Sequence, residues 1–342
     1  MAMAMDTATE TAEAVRDTAA PTLEMRVRQV RYEGQGINSY ELTSPAGEAL
    51  PPFEAGAHID VHLRDGLIRQ YSLCNAPAER HRYVIAVLRD EAGRGGSRAM
   101  HEHVRAGDLV TISRPRNHFA LAGDASRVLL IAGGIGVTPL KAMAHELDAH
   151  GVEFEMHYCA RGREAAAFGE ELAALHRAGR LHYHFDGGAA GRQLDLRALL
   201  ARPVPGTHVY YCGPAGFMKA CAEAAGHWPK GTVHFEHFKA PEPPARAPSD
   251  LPAQAADGCD VTLASSGRVI HVAPGQNLAE ALNEAGVAVP TSCCAGLCAT
   301  CKVRYRDGEV EHNDFILTDE EKQEYLTTCV SRPLGRTLVL EL

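Results

Sequence analysis

Four cysteines fall within nine positions of the stretch TSCCAGLCATC, residues 291–301, in a chain that has only ten. Thiolates are soft metal ligands and reactive nucleophiles, so this crowding points to metal chemistry rather than to packing. Cys293, Cys298 and Cys301 stand as C-x4-C-x2-C, and Cys329 follows after a long gap. Four thiolates at that spacing suit a 2Fe–2S cluster. The intervening residues are mostly small, and Gly296 permits positive φ, so backbone N–H groups can turn toward inorganic sulfur. A zinc site is the alternative. Structural zinc favours two close cysteine pairs, whereas here three ligands share one loop and the fourth stands alone. Cys294 breaks the spacing and is read as a neighbour of the cluster, not a ligand.

Two further stretches could hold a phosphate and a flavin ring. RQYSLCN begins at Arg69 and carries Gln70, Tyr71, Ser72 and Leu73 at the end of a strand-like segment. Arg69 can pair bidentately with the phosphate of a flavin mononucleotide. Tyr71 can pack against the ring system, and the Ser72 hydroxyl or N–H would lie near flavin N5. RGGSRAMH then offers Gly95, Gly96 and Ser97 as an anion-binding nest at a helix start. An ordinary glycine turn capped by serine is the plainer reading of that stretch.

VLLIAGGIGVTPL, residues 128–140, reads as a buried strand, a glycine turn and a helix start. Gly133, Gly134 and Gly136 would let a pyrophosphate approach the backbone, and Thr138 could donate to it. Pro139 suits an early helical position. YYCGPAGFM places Cys212, Gly213 and Pro214 at a second strand end, where a thiol can sit against a nicotinamide. HFEHFKA closes the region. There Phe235 or Phe238 could stack on the flavin, and Glu236 could orient the nicotinamide amide. An edge strand with alternating aromatics is the competing explanation.

Three units must position these residues. From Leu23 to about Ser113, period-two segments such as HIDVHLRD and DLVTISRP alternate with turns, as in an antiparallel β-barrel. From about Leu121, strand-like runs alternate with helical stretches such as PLKAMAHELDAHG and AAAFGEELAALHRAG, which predicts a doubly wound α/β unit. Residues 240–256 are rich in proline and alanine and read as a semi-extended linker. Beyond it come a hairpin, the helix NLAEALNEAG, the cysteine loop, the strand KVRYRDGEVE and a helix over TDEEKQEYL. The expected division is a disordered tail (1–22), a flavin barrel (23–120), a nucleotide domain (121–239), the linker (240–256) and an α+β, β-grasp ferredoxin domain (257–342).

Composition bounds the function. The chain is 45% hydrophobic and 23% charged, ordinary for a globular protein, and its net charge of −9 disfavours nucleic acid. From Asp257 onward, 13 acidic residues face 7 basic ones. That end is a docking face for a basic partner or a solvated surface. No apolar run suits a bilayer, the N-terminal stretch lacks a signal core, and the cysteine spacing fits a reducing cytoplasm. A cytoplasmic monomer is expected.

In this order, RQYSL, GRGGS, AGGIGVTP, YYCGP, HFEHF and the cysteine spacing resemble the phthalate dioxygenase reductase family, over Leu23 to Leu342. Vanillate demethylase reductases belong to the same family. The resemblance implies a ferredoxin–NADP reductase-like flavoprotein with a plant-type ferredoxin domain at its C-terminus. It implies FMN, NADH as donor and a Rieske-type terminal oxygenase as acceptor. In that reading Ser72, Cys212, Glu236 and Phe238 serve hydride transfer. A reductase for a cytochrome P450 or diiron hydroxylase, and a non-catalytic redox-sensing module, are the rivals. Shortening residues 240–256 should slow reduction of the partner but not NADH reduction of the flavin. Rapid-mixing spectroscopy separates the two rates, and equal loss of both would refute the linker's role.

Overall fold

The computed structural model describes residues 22–189, 191–240 and 257–342. The expected tail, apart from Thr22, and the expected linker, apart from Ala240, lie outside these residues. No described helix is long and apolar enough to cross a membrane.

The first unit is a curled antiparallel sheet. Its strands are β1 (Thr22–Gly34), β2 (Ile37–Thr43), β3 (His58–His62), β4 (Ile68–Ser72), β5 (Tyr83–Leu88) and β6 (Leu109–Ser113). They lie in the order β4-β3-β6-β1-β2-β5. A bridge from Leu73 to Ile85 joins the two edge strands. In β1, Met25 and Val27 are buried while Arg26 and Arg28 are exposed, the alternation that a half-buried strand requires. Val27, Tyr40, Ile59, Leu73, Ile85 and Ile112 pack inside. Helix α1 (Gly96–His103) follows β5.

The second unit is a parallel sheet with helices between its strands. It comprises β7 (Arg127–Gly133), α2 (Val137–Ala149), β8 (Glu153–Ala160), α3 (Ala173–Arg177), β9 (Leu181–Phe185), α4 (Leu196–Leu199), β10 (Thr207–Cys212), α5 (Ala215–Ala225) and β11 (Val233–Glu236). The order β11-β10-β7-β8-β9 means that the chain winds outward from β7 and then returns to build the other half. The C-terminal ends of β7 and β10 therefore flank the switch point, where open α/β sheets leave a crevice. The predicted helix over 165–179 shrinks to α3. Phe168 adopts a left-handed φ of 62° while buried, which interrupts any helix running through it.

The third unit has a mixed sheet in the order β13-β12-β18-β14-β16. Its strands are β12 (Cys259–Leu263), β13 (Val269–Val272), β14 (Lys302–Asp307), β16 (Tyr325–Thr327) and β18 (Thr337–Leu340), with helix α6 (Leu278–Glu284) against it. A small ladder pairs β15 (Val310–Glu311) with β17 (Arg332–Pro333). Strands β12 and β18 are parallel and the others antiparallel. The helix predicted over TDEEKQEYL is only a 3-10 turn, Glu321–Gln323. Thr318 and Glu321 exchange capping hydrogen bonds, but Tyr325–Thr327 is drawn into pairing with β14.

The first two units share a core. Ile37, Cys74, Ala86 and Phe119 join Val137, Leu140, Ala144 and Phe168 in one apolar cluster. Lys141 is buried in the same place. Its Nζ donates to the Cys74 carbonyl at 2.9 Å, pairs with Glu171 at 2.6 Å and lies 4.7 Å from the centre of the Phe168 ring.

The turns after β7 and β10 are in close contact. A β-carbon on Gly136 would lie 2.2 Å from the Cys212 carbonyl oxygen. Gly136→Ala should therefore force the two strand ends apart and cost about 1–3 kcal/mol of stability. A urea midpoint unchanged from the parent would contradict this packing.

Candidate active site

The end of β4 meets the end of β11. Ser72 Oγ donates to Glu236 Oε2 at 3.3 Å. Glu236 pairs in register with Cys212 on β10. The residue reaches solvent in part, but its carboxyl group is desolvated, and burial pushes it up to about 8 against the Ser72 hydrogen bond. Burial, and then the neighbouring Glu236, raise the Cys212 thiol well above its usual range. The junction thus joins a hydroxyl, a protonated carboxyl and a neutral thiol at the switch-point crevice. Phe238 is 39% exposed beside it. Phe235 stacks on Tyr211 with ring centres 5.4 Å apart, on the face opposite Glu236.

The expected phosphate site lies at the other end of β4. Gly95 is left-handed at φ 81° and opens α1. A β-carbon on Gly96 would fall 2.3 Å from Arg69 Cγ, so glycine there makes room for the arginine. Arg69 donates to the carbonyls of Ile68 at 2.8 Å and Arg94 at 2.5 Å. Desolvation, and then the charge of Arg94, lower the Arg69 guanidinium's affinity for its proton. Two cations that oppose each other beside a left-handed glycine call for an anion between them. Ser97 Oγ accepts from the Asp90 N–H at 3.0 Å, and Asp90 pairs with Lys239.

Other residues of that strand are already engaged. Tyr71 packs against the core of the first unit. Gln70 Nε2 donates to Asp60 Oδ1 at 3.2 Å and lies 3.5 Å from His58 Nε2, on the face away from Arg69. Leu73, also expected at the cofactor, follows directly on β4. Its side chain is fully buried and its N–H donates to Ala57 at 2.8 Å.

The nucleotide turn divides its labour. Gly134 is left-handed at φ 53° with open space around it. Gly133 and Gly213 instead make room for the Phe217 ring, where β-carbons would sit 2.9 and 2.6 Å away. Thr138 is buried and donates to the Ile135 carbonyl at 3.1 Å, so its proton is turned inward rather than to a ligand. Pro139 is buried in the first turn of α2, and Pro214 is exposed at the start of α5.

The four cysteines converge. The Cys298 and Cys329 thiols hydrogen-bond to Cys293, Cys301 bonds to Cys329, and the Leu297 N–H donates to Cys293 Sγ at 3.3 Å. These bonds hold Cys293 far below the ordinary thiol range and force Cys298 and Cys329 above it. Cys294, Gly296 and Ala299 are all left-handed, which turns the loop's backbone inward. The four thiols are thus linked through Cys293 and Cys329, the four-thiolate donor set that two irons need. Cys294 is exposed and lies toward Arg69. Of the other five cysteines, Cys159 is half-buried and the rest are buried.

Sequence reasoning misses Arg94, His58 and His118. Arg94 Nη2 donates to the Cys293 carbonyl at 3.2 Å. Its place just ahead of Gly95 is a readable signal of a cation beside an anion nest; the two histidines carry none.

Because Glu236 has a native pKa above its ordinary 4.5, the native state binds more protons than the unfolded chain up to about pH 8. Stability from this group therefore falls as pH rises through that window. Glu236→Gln should gain stability relative to the parent protein between roughly pH 5 and 8, then level off. Urea midpoints across that range test this, and a pH-independent difference would contradict it.

Two family profiles match the chain: the oxidoreductase NAD-binding domain over residues 130–223 and the 2Fe-2S iron-sulfur cluster binding domain over residues 261–334. The reductase subunit of a tert-butanol monooxygenase / tert-amyl alcohol desaturase from Aquincola tertiaricarbonis is 53% identical, covering 94% of this chain and 96% of that one. The structure of phthalate dioxygenase reductase, described as modular for electron transfer from pyridine nucleotides to [2Fe-2S], matches at 39% identity with a TM-score of 0.70. That match covers 94% of this chain and 98% of the other. An intact type IV self-sufficient cytochrome P450 monooxygenase matches 94% of this chain at 38% identity and a TM-score of 0.84, but the chain spans only 41% of that longer protein. With its glycine turn, its linked thiols and its full-length match, the chain belongs to the phthalate dioxygenase reductase family and is an NAD-dependent iron–sulfur oxidoreductase.

Proposed function

We propose that the protein is the reductase component of a multicomponent oxygenase and supplies electrons to a Rieske-type terminal oxygenase. One observation carries the reading. The β4 strand meets Glu236, the register partner of Cys212, at its Ser72 end, and at its other end Arg69 donates to the carbonyl of Arg94, whose guanidinium reaches the Cys293 carbonyl. The strand thus runs from the proposed hydride end toward the proposed one-electron acceptor. We take 23–120 as the flavin unit, 121–239 as the nucleotide unit and 257–342 as the ferredoxin unit.

When bound, FMN takes a hydride from NADH and releases electrons singly to the 2Fe–2S cluster. The chain supplies the positions. Arg69 and the backbone N–H groups of Gly95, Gly96 and Ser97 hold the phosphate. Tyr71 packs behind the ring, and Ser72 holds a proton donor at its edge. Gly134 admits the pyrophosphate of the dinucleotide. Cys212, kept as a neutral thiol, presents no charge to the nicotinamide, and Glu236 orients its amide. Phe238 covers the ring site until nicotinamide displaces it. Cys293, Cys298, Cys301 and Cys329 hold the irons.

A P450 acceptor is the second reading, favoured by the match to the self-sufficient P450 monooxygenase. Cross-reduction of purified Rieske and P450 acceptors separates the two. The electron path itself is tested by the absorption spectrum before and after stoichiometric NADH under anaerobic conditions. Flavin and iron–sulfur bands should both bleach. In Cys329→Ser the iron–sulfur bands should vanish while NADH still bleaches the flavin. A full iron–sulfur spectrum in that variant would remove Cys329 from the ligand set.

A further inference from the structure

The first unit touches the cysteine loop with two side chains, and each meets the backbone of a cluster ligand. Arg94 donates to the Cys293 carbonyl at 3.2 Å. His118 lies beside the backbone of Cys298. Behind them a polar network leads back to the flavin strand. The rings of His118 and His58 lie 5.7 Å apart, His58 feels the charge of Cys293, and Gln70 of β4 lies 3.5 Å from His58. The second unit adds one ring contact, His237 against Phe315, with centres 5.6 Å apart, and Phe315 in turn donates its N–H to the Gly296 carbonyl in the loop.

These contacts are few and polar, unlike the shared apolar core of the first two units. They join elements about two hundred residues apart in sequence, with residues 241–256 between them. Such a contact can hold an electron-transfer partner in register without fusing it in place. Arg94 suits the task because it belongs to both sites. Its carbonyl accepts from Arg69, and its guanidinium reaches the ligand loop.

We propose that Arg94 and His118 are positioning residues that clamp the cysteine loop against the flavin strand, and that this clamp sets the rate of electron passage from flavin to cluster. The proposal rests on the electron path proposed above. Both side chains are exposed on their outer side, so their removal leaves the cores intact.

The test uses the full-length holoprotein. Anaerobic rapid mixing with NADH resolves flavin bleaching from iron–sulfur bleaching. In Arg94→Ala with His118→Ala, reconstituted with excess FMN, the cluster phase should slow by about tenfold relative to the flavin phase, the scale of one lost charge-assisted hydrogen bond. Arg94→Lys with His118→Gln, which retains both donors, should recover most of that loss. Small-angle X-ray scattering of the oxidised protein should find the alanine variant more extended than the parent. A cluster phase as fast as the parent's in the alanine variant overturns the clamp alone. So does equal slowing of both phases, which would mean local damage to the flavin site. Absence of any cluster phase in the parent overturns the electron path, and the clamp with it.

Discussion

Helix α2 lies under two sheets at once, and the position of every reactive group depends on that arrangement. Its Val137, Leu140 and Ala144 pack with Ile37, Cys74 and Phe119 of the flavin unit. The same helix begins at the glycine turn of the nucleotide unit. The apolar seam therefore fixes the relation between the end of β4 and the ends of β10 and β11. Ser72 meets Glu236 because the seam leaves those edges nowhere else to go. Reaction geometry does not tolerate errors of about an ångström, and an apolar core of interlocked side chains is stiff enough to meet that demand.

The sites along this frame differ in charge, and each suits its occupant. At the Arg69 end of β4, Arg69 and Arg94 repel each other beside a left-handed glycine. At its Ser72 end, Cys212 and Glu236 are desolvated and hold their protons. At the cluster, thiols crowd within hydrogen-bonding reach of one another. Excess positive charge, neutrality and competition for protons are three environments built within a short span of chain contacts. An anion, an uncharged ring and a pair of ferric ions would each relieve one of them.

The sequence discloses these sites where chemistry demands a residue type at a fixed local spacing. The cysteine loop is legible because thiolates at C-x4-C-x2-C have few other uses. The strand–glycine–helix turn is legible for the same reason. What each glycine does is not. Gly133, Gly136 and Gly213 answer to Phe217 and to a facing turn, contacts made by distant parts of the chain, and only Gly134 stands open. The sequence does not show that the Thr138 hydroxyl donates to Ile135 or that the Leu73 N–H donates to Ala57. The helices read over 165–179 and 318–326 fail because tertiary demands outrank local propensity: Phe168 must be buried, and Tyr325–Thr327 must pair with β14. The contact of Arg94 with Cys293 spans 199 positions, and no pattern in the sequence announces it.

Lys141 gives the seam a property that apolar packing alone lacks. Greasy surfaces slide: many offsets between two such faces cost nearly the same. An ammonium group buried in the seam meets its one acceptor on the far side, the Cys74 carbonyl, at one offset only, while Glu171 balances its charge from its own unit. Any slipped alignment would leave that bond unmade, a penalty of roughly 1–3 kcal/mol. The lysine thus works as a key in a lock. It adds little to how tightly the halves hold, but it restricts them to one alignment.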